Sequence, residues 1–166
     1  DGTEYDASVV GKDSQTDLAV IKVDANNLQA ATLGDSDILQ VGDPAIAIGN
    51  PLGELGGTVT TGIISATDRQ ITIDDETMKL LQTDAAINPG NSGGGLFNAD
   101  GNLIGIVNAK ESSTGIEGLG FAIPITPAQD IITELMQNGS VTSRPALNVS
   151  LYDYTSNNQG QYSKYK

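Results

Sequence analysis

Short apolar runs, and runs in which apolar and polar residues alternate, recur along the chain between Gly, Asp and Asn clusters. Segments of this length and period are half-buried strands bounded by turns. They predict strands at 4–10 (EYDASVV), 18–23 (LAVIKV), 45–49 (AIAIG), 58–66 (TVTTGIISA), 70–73 (QITI), 79–83 (KLLQT), 95–98 (GLFN), 103–109 (LIGIVNA) and 119–123 (LGFAI). One more short strand is expected near 30–34. Strands so spaced predict an all-β fold, an antiparallel barrel or sandwich. Asp100-Gly101 predicts a hairpin, because glycine accepts the positive φ of a primed turn.

The period changes to a helical one only once. Ile131, Ile132, Leu135 and Met136 fall on one face of a segment over 127–138. Thr126 can cap it, with Gln129 completing a capping box and Pro127 at the first helical position. Gly139 suits the stop. Beyond residue 140 the chain is polar and unpatterned, so 141–166 reads as a linker or tail.

Composition narrows the function classes. The net charge is −13 and only eight residues are Lys or Arg, so no nucleic-acid partner is expected; such binding rests on basic residues neutralising phosphates. The acidity itself reads as solubility. There is no cysteine, hence no disulfide and no thiolate chemistry. Asp74, Asp75 and Glu76 lack the spacing of a calcium loop and read as a solvated turn, so no metal and no cofactor is expected.

One segment carries chemistry. Gly90-Asn91-Ser92-Gly93-Gly94 sets a serine on a turn whose glycines permit unusual backbone angles and close approach of a substrate. Acyl transfer needs an exposed hydroxyl with two backbone N–H groups aimed at the developing oxyanion. By itself the pentapeptide is equally compatible with a glycine-rich turn that happens to contain serine. The chain has no histidine to take the serine's proton, and no lysine adjoins the motif. An orienting carboxylate could be Asp17, Asp43 or Asp84, all beside apolar runs.

The run "QTDAAINPGNSGGGLFNADGNLIGIVNA", 82–109, resembles the nucleophile segment of HtrA-type (Deg-type) serine proteases, a trypsin-like family. "DSQTDLAVIKV" (13–23), "GDPAIAIGNPLGELGGTVTTGIISATDRQ" (42–70) and "GLGFAIPI" (118–125) fit the same family in the expected order. The resemblance implies a chymotrypsin/trypsin-like double β-barrel with a C-terminal helix, the first barrel incomplete: residues 1–40 its remnant, 41–140 the second barrel plus helix, 141–166 a linker toward an absent PDZ domain.

It further implies that Ser92 is the nucleophile, that Gly90 and Ser92 supply the oxyanion-hole N–H groups, and that Asp17 is the triad aspartate, Asp84 being structural. In this family histidine precedes aspartate, so the general base is expected upstream of residue 1 and the chain alone is expected to be inactive. Ala86 and Ile87 would line an uncharged specificity pocket, and Ile106, Val107 and Asn108 would pair with an extended substrate. Lys110 and Glu111 stand where relatives are often apolar, and 110–118 resembles the loop beside the pocket.

The expected partners are unfolded polypeptides, with no nucleic acid. A homo-oligomer (a trimer in relatives) is expected for the complete protein, and self-association through the open barrel edge for this chain, with Val20 and Val23 exposed there. The family also implies an extracytoplasmic location, the bacterial periplasm or cell surface. A non-catalytic relative that binds extended segments is the alternative.

Overall fold

The computed structural model describes residues 3–50, 57–73, 76–88, 90–108 and 118–144. Pro89, Asp74, Asp75, the loop residues 110–117 with Lys110 and Glu111, and the tail 145–166 lie outside them.

Six strands close into a barrel: β3 (Pro44–Gly49), β4 (Thr58–Ile73), β5 (Glu76–Thr83), β6 (Gly95–Phe97), β7 (Leu103–Asn108) and β8 (Gly120–Pro124). Every pairing is antiparallel, in the order β3-β4-β5-β8-β7-β6, with β3 returning to β6. Closure leaves no unpaired edge on the barrel. The interior is filled by Ala45, Ala47, Ile64, Leu81, Leu96, Val107 and Ala122, small residues on some strands facing larger ones on others. This is how a chain poor in aromatics packs a narrow barrel.

A second apolar cluster lies outside it. Phe121 and Ile123 from β8 and Leu80 from β5 meet Ala128 and Leu135 of the helix α1 (Ile125–Asn138) and Leu18 near the N-terminus. β1 (Ala7–Asp13) and β2 (Leu18–Val23) form a separate two-stranded sheet that packs on α1. At the C-terminal end of the helix the contact is backbone to backbone. A Cβ on the buried Gly11 would stand 2.7 Å from the carbonyl oxygen of Gly139, so β1 reaches the helix end only because residue 11 has no side chain. Among the described residues no helix is long and apolar enough to cross a membrane.

Several expectations are corrected. Segments 58–66 and 70–73 are one strand, β4, kinked by irregularities between Ile64 and Ala66 and between Ala66 and Arg69. The strand expected at 4–10 begins at Ala7 and runs to Asp13. Residues 30–34 contribute only a single parallel bridge, Leu33 to Leu103.

The Asp100-Gly101 hairpin forms, but only Gly101 takes positive φ (+77°). The turn is therefore a type I turn closed by a left-handed glycine, not a primed one. The helix begins at Ile125, two residues before Pro127, with Pro124 at the cap position, so Thr126 lies inside the first turn and builds no capping box. Its hydroxyl donates to Asp35 and accepts the Ser36 N–H (2.8 Å), while its own N–H donates to the Ser36 hydroxyl (3.0 Å). A neighbouring loop thus satisfies the helix start from outside.

Met136 is 64% exposed, off the helix's packed face. Val20 is half-buried against the helix cluster, and Val23 is half-buried as well. The exposed pair on this sheet is instead Val9 and Ile21, directly opposite in register. Residues 142–144, expected to be part of a frayed tail, are held by Glu134 of the helix and Asp13 of β1.

Candidate active site

Ser92 sits in the loop between β5 and β6, exposed on the barrel surface. Gly90 (φ +102°) and Gly93 (φ +81°) take left-handed angles on either side of it, which explains glycine at both. The loop is stitched to the barrel at β7. Gly93 N–H donates to the Val107 carbonyl (2.9 Å) and Val107 N–H to the Gly94 carbonyl (2.8 Å). Gly94 lies so close to the Ile48 carbonyl of β3 that a Cβ would collide with it.

Asn91 points inward and is almost wholly buried. Its Nδ2 donates to the Ala86 carbonyl (3.3 Å), which also accepts the Thr60 hydroxyl (2.9 Å). Its Oδ1 has no hydrogen-bond partner and would stand 2.5 Å from a Cβ on Gly49. The loop bearing Ser92 and the segment bearing Ala86 are therefore one packed unit. Ala86 itself is exposed, without a charged neighbour in its hydrogen bonds. Ile87 is seated against Gly120, where a Cβ would come 2.5 Å from its Cγ1.

The three candidate carboxylates separate by geometry. Asp84 accepts the Ile63 N–H (2.7 Å) and pins 84–86 to β4. Asp43 accepts the Gln40 N–H (2.8 Å) within its own turn. Asp17 ends the turn between β1 and β2 with φ +56°, a left-handed angle that aspartate tolerates better than most residues. Its Oδ2 accepts from Asn108 Nδ2 at 3.2 Å. Of the three, Asp17 is the one whose carboxylate reaches the strand that holds the serine loop.

That bond gives Asn108 a use the sequence did not suggest. Asn108 is buried at the end of β7, opposite Phe121 of β8. Ile106 and Val107, expected with Asn108 to pair with an extended substrate, lie between two neighbouring strands or loops. Both backbone groups of Val107 are engaged by the serine loop, and Ile106 stands between Gly95 and Ile123 in the sheet.

A cavity of 680 Å³ lies elsewhere, between α1, the base of the β4–β5 arm and the β1–β2 turn, lined in part by Leu18, Met78, Ile123 and Ile131. Neither Ser92, Gly90 nor Ala86 borders it. Among the described residues no group of three or more metal-ligating side chains comes together.

The trypsin-like peptidase domain family matches residues 1–106. The chain is 50% identical over 158 residues to the serine protease Do-like HtrB of Bacillus subtilis (strain 168), covering 92% of this chain and 34% of the relative. It is 48% identical over 164 residues to the serine protease Do-like HtrA of Lactococcus lactis subsp. lactis (strain IL1403), 92% of this chain and 40% of the relative. The probable periplasmic serine endoprotease DegP-like of Rickettsia prowazekii (strain Madrid E) is 49% identical over 159 residues, 93% and 31%. The HtrA-type protease AlgW, solved with a decapeptide, superposes with a TM-score of 0.76 at 52% identity over 83% of this chain and 42% of that one. The chain thus spans 34% and 40% of the length of the first two of these relatives.

Proposed function

This chain belongs to the trypsin-like peptidase family, among its HtrA-type members, and on that premise we propose that it carries the nucleophile of a serine endopeptidase acting on unfolded polypeptides. Ser92 attacks the scissile carbonyl, and the N–H groups of Gly90 and Ser92 receive the oxyanion. Asp17 orients the imidazole that takes the serine's proton. The chain contains no histidine, so that imidazole comes from outside these 166 residues. Without it a serine hydroxyl is a poor nucleophile at neutral pH, and the chain alone is inactive.

One observation carries the reading: consecutive residues of β7 hold both halves of the site. Val107 binds the serine loop through Gly93 and Gly94, and Asn108 binds Asp17. The β1–β2 hairpin is then the part of a first barrel present in this chain, docked on the second through α1.

A substrate lies extended beyond Asn108, its leading side chain over Ala86 and Ile87. A pocket so lined takes small uncharged residues. The decapeptide seen with AlgW supports a polypeptide ligand. The names of relatives support a place outside the cytoplasm. The native protein is a homo-oligomer, and this chain self-associates through the unpaired sheet β1–β2.

Hydrolysis of casein by the native gene product tests the reading. Turnover disappears in Ser92→Ala, and mass spectrometry of the products shows cleavage after small uncharged residues. Full turnover by Ser92→Ala, or a dominant preference for Lys or Arg, contradicts it. The lack of histidine favours one second reading, a module that binds extended polypeptides without cutting them. In that case casein is bound and stays intact.

A further inference from the structure

The chain leaves α1 on a fixed path. Gly139 ends the helix in the left-handed conformation (φ +72°), its N–H returning to the Leu135 carbonyl at 3.0 Å. The carboxylate of Glu134 then gathers the residues that follow. It accepts the Thr142 N–H (2.7 Å), the Thr142 hydroxyl (3.1 Å), the Ser143 N–H (3.0 Å) and the Ser143 hydroxyl (2.5 Å). These donors, the Ser143 hydroxyl foremost, hold the Glu134 carboxyl at about 2. A backbone caught this way presents Arg144 from one place.

Arg144 uses that placement for a two-point contact across the fold. Nη1 and Nη2 donate to the two oxygens of Asp13, at 2.7 and 2.9 Å, joining positions 131 residues apart. The Asp13 side chain is only 10% exposed. Asp13 in turn accepts the Thr16 N–H (3.1 Å) and the Thr16 hydroxyl, which closes residues 13–16 into a turn. Asp17 is the next residue, left-handed, with its carboxylate on Asn108.

The geometry points to Arg144 as a positioning residue for Asp17, acting through Asp13 and the turn they share. This role rests on the reading of Asp17 as the triad carboxylate. A bidentate guanidinium–carboxylate pair fixes direction as well as distance, which a single ammonium contact does not. The Asp17 carboxylate is thereby set from two sides, by Asn108 at the side chain and by the Asp13 turn at the backbone. Because Arg144 follows the helix exit, displacement of that exit acts on Asp13 and alters the aim of Asp17. The exit is thus coupled to the site without touching Ser92.

Two measurements test this. In the 166-residue chain, the Asp17 amide and Asn108 carboxamide signals are followed by NMR in Arg144→Gln, Arg144→Lys and Asp17→Ala. In Arg144→Gln the Asn108 carboxamide signals move toward their positions in Asp17→Ala and the Asp17 amide signal shifts from its wild-type position, and Arg144→Lys restores only part of the change. In the native gene product, Arg144→Gln lowers kcat by about 10- to 100-fold, the scale of a misplaced catalytic group, while KM stays near its original value. Unmoved Asp17 and Asn108 signals in Arg144→Gln with intact barrel signals overturn the proposal, as does an unchanged kcat. A native gene product that hydrolyses nothing overturns the assignment of Asp17 to a triad, and with it the positioning role. The NMR result would then still describe a structural link.

Discussion

Asn108 donates from its buried carboxamide to the carboxylate of Asp17 over 3.2 Å, joining the end of β7 to a turn 91 residues earlier. The preceding residue, Val107, exchanges backbone hydrogen bonds with Gly93 and Gly94 around Ser92. A strand inside a closed barrel is among the stiffest parts of a fold. Two adjacent positions on it therefore fix the separation of a serine and a carboxylate carried by loops of different sheets.

Removing either partner of that bond separates their roles. Asp17→Asn lowers kcat of the native gene product by on the order of 10⁴-fold, because the imidazole loses the acceptor that sets its tautomer. Asn108→Ala is milder. A hydrogen bond to a charged group contributes about 1.5–3 kcal/mol, which corresponds to about 10- to 100-fold in kcat. Steady-state kinetics on casein-derived peptides checks both, and an Asn108→Ala variant with full activity contradicts the placement of Asp17.

Acid weakens the helix exit. The Asp13 carboxyl is held below its ordinary 3.8, first by the hydrogen bonds from Arg144, and Glu134 is lowered from 4.5 to about 2. A carboxyl whose folded pKa is depressed stabilises the fold above its unfolded value and loses that contribution as pH falls through the folded one. Stability therefore declines from about pH 4.5 toward pH 2. Thermal unfolding across this range detects the decline, and Glu134→Gln and Asp13→Asn each flatten it. A wild-type Tm independent of pH there contradicts a stabilising role for the Glu134 and Asp13 hydrogen bonds.

Two glycines of the same region behave differently when replaced. Gly94→Ala drives a Cβ into the Ile48 carbonyl, a backbone atom that cannot turn aside. The resulting shift costs about 1–3 kcal/mol, as overpacking does. At Gly101 the space is open and only the angle, φ +77°, resists. Asparagine tolerates that angle, so Gly101→Asn costs less than Gly94→Ala. Urea denaturation of the chain ranks the two, and the reverse order contradicts the described seat of the serine loop.

Much of this architecture is legible from residue pattern because each strand of the barrel buries one face. The run 18–23 shows it at Leu18 and Val20, 45–49 at Ala45 and Ala47, and 103–108 at Ile104 and Val107, positions that face the barrel or the helix. The break expected between 66 and 70 failed for a physical reason. There β4 and β5 form an arm whose side chains at Thr67, Asp68 and Arg69 are exposed, so no apolar alternation marks the strand. The helix cap was misread because Thr126 finds its partner in Ser36, 90 residues away, and local spacing cannot show a contact of that range.

The site divides in the same way. The glycines around Ser92 announce themselves, since the angles at Gly90 and Gly93 demand them. The Asp-x-x-Thr spacing of Asp13 and Thr16 could have suggested a local turn. Nothing nearby in sequence could have paired Asp13 with Arg144 or Asp17 with Asn108, because those contacts exist only once the helix and the barrel are assembled.

The central claim is that Ser92 is an activated nucleophile in the native protein. A fluorophosphonate reacts with such a serine and leaves an ordinary hydroxyl untouched, so intact-mass and peptide mass spectrometry after labelling read the claim directly. The native gene product gains one adduct, located on the peptide containing Ser92, and Ser92→Ala gains none. The 166-residue chain, which has no histidine, also gains none. An unlabelled native protein, or an adduct that persists in Ser92→Ala, contradicts the account.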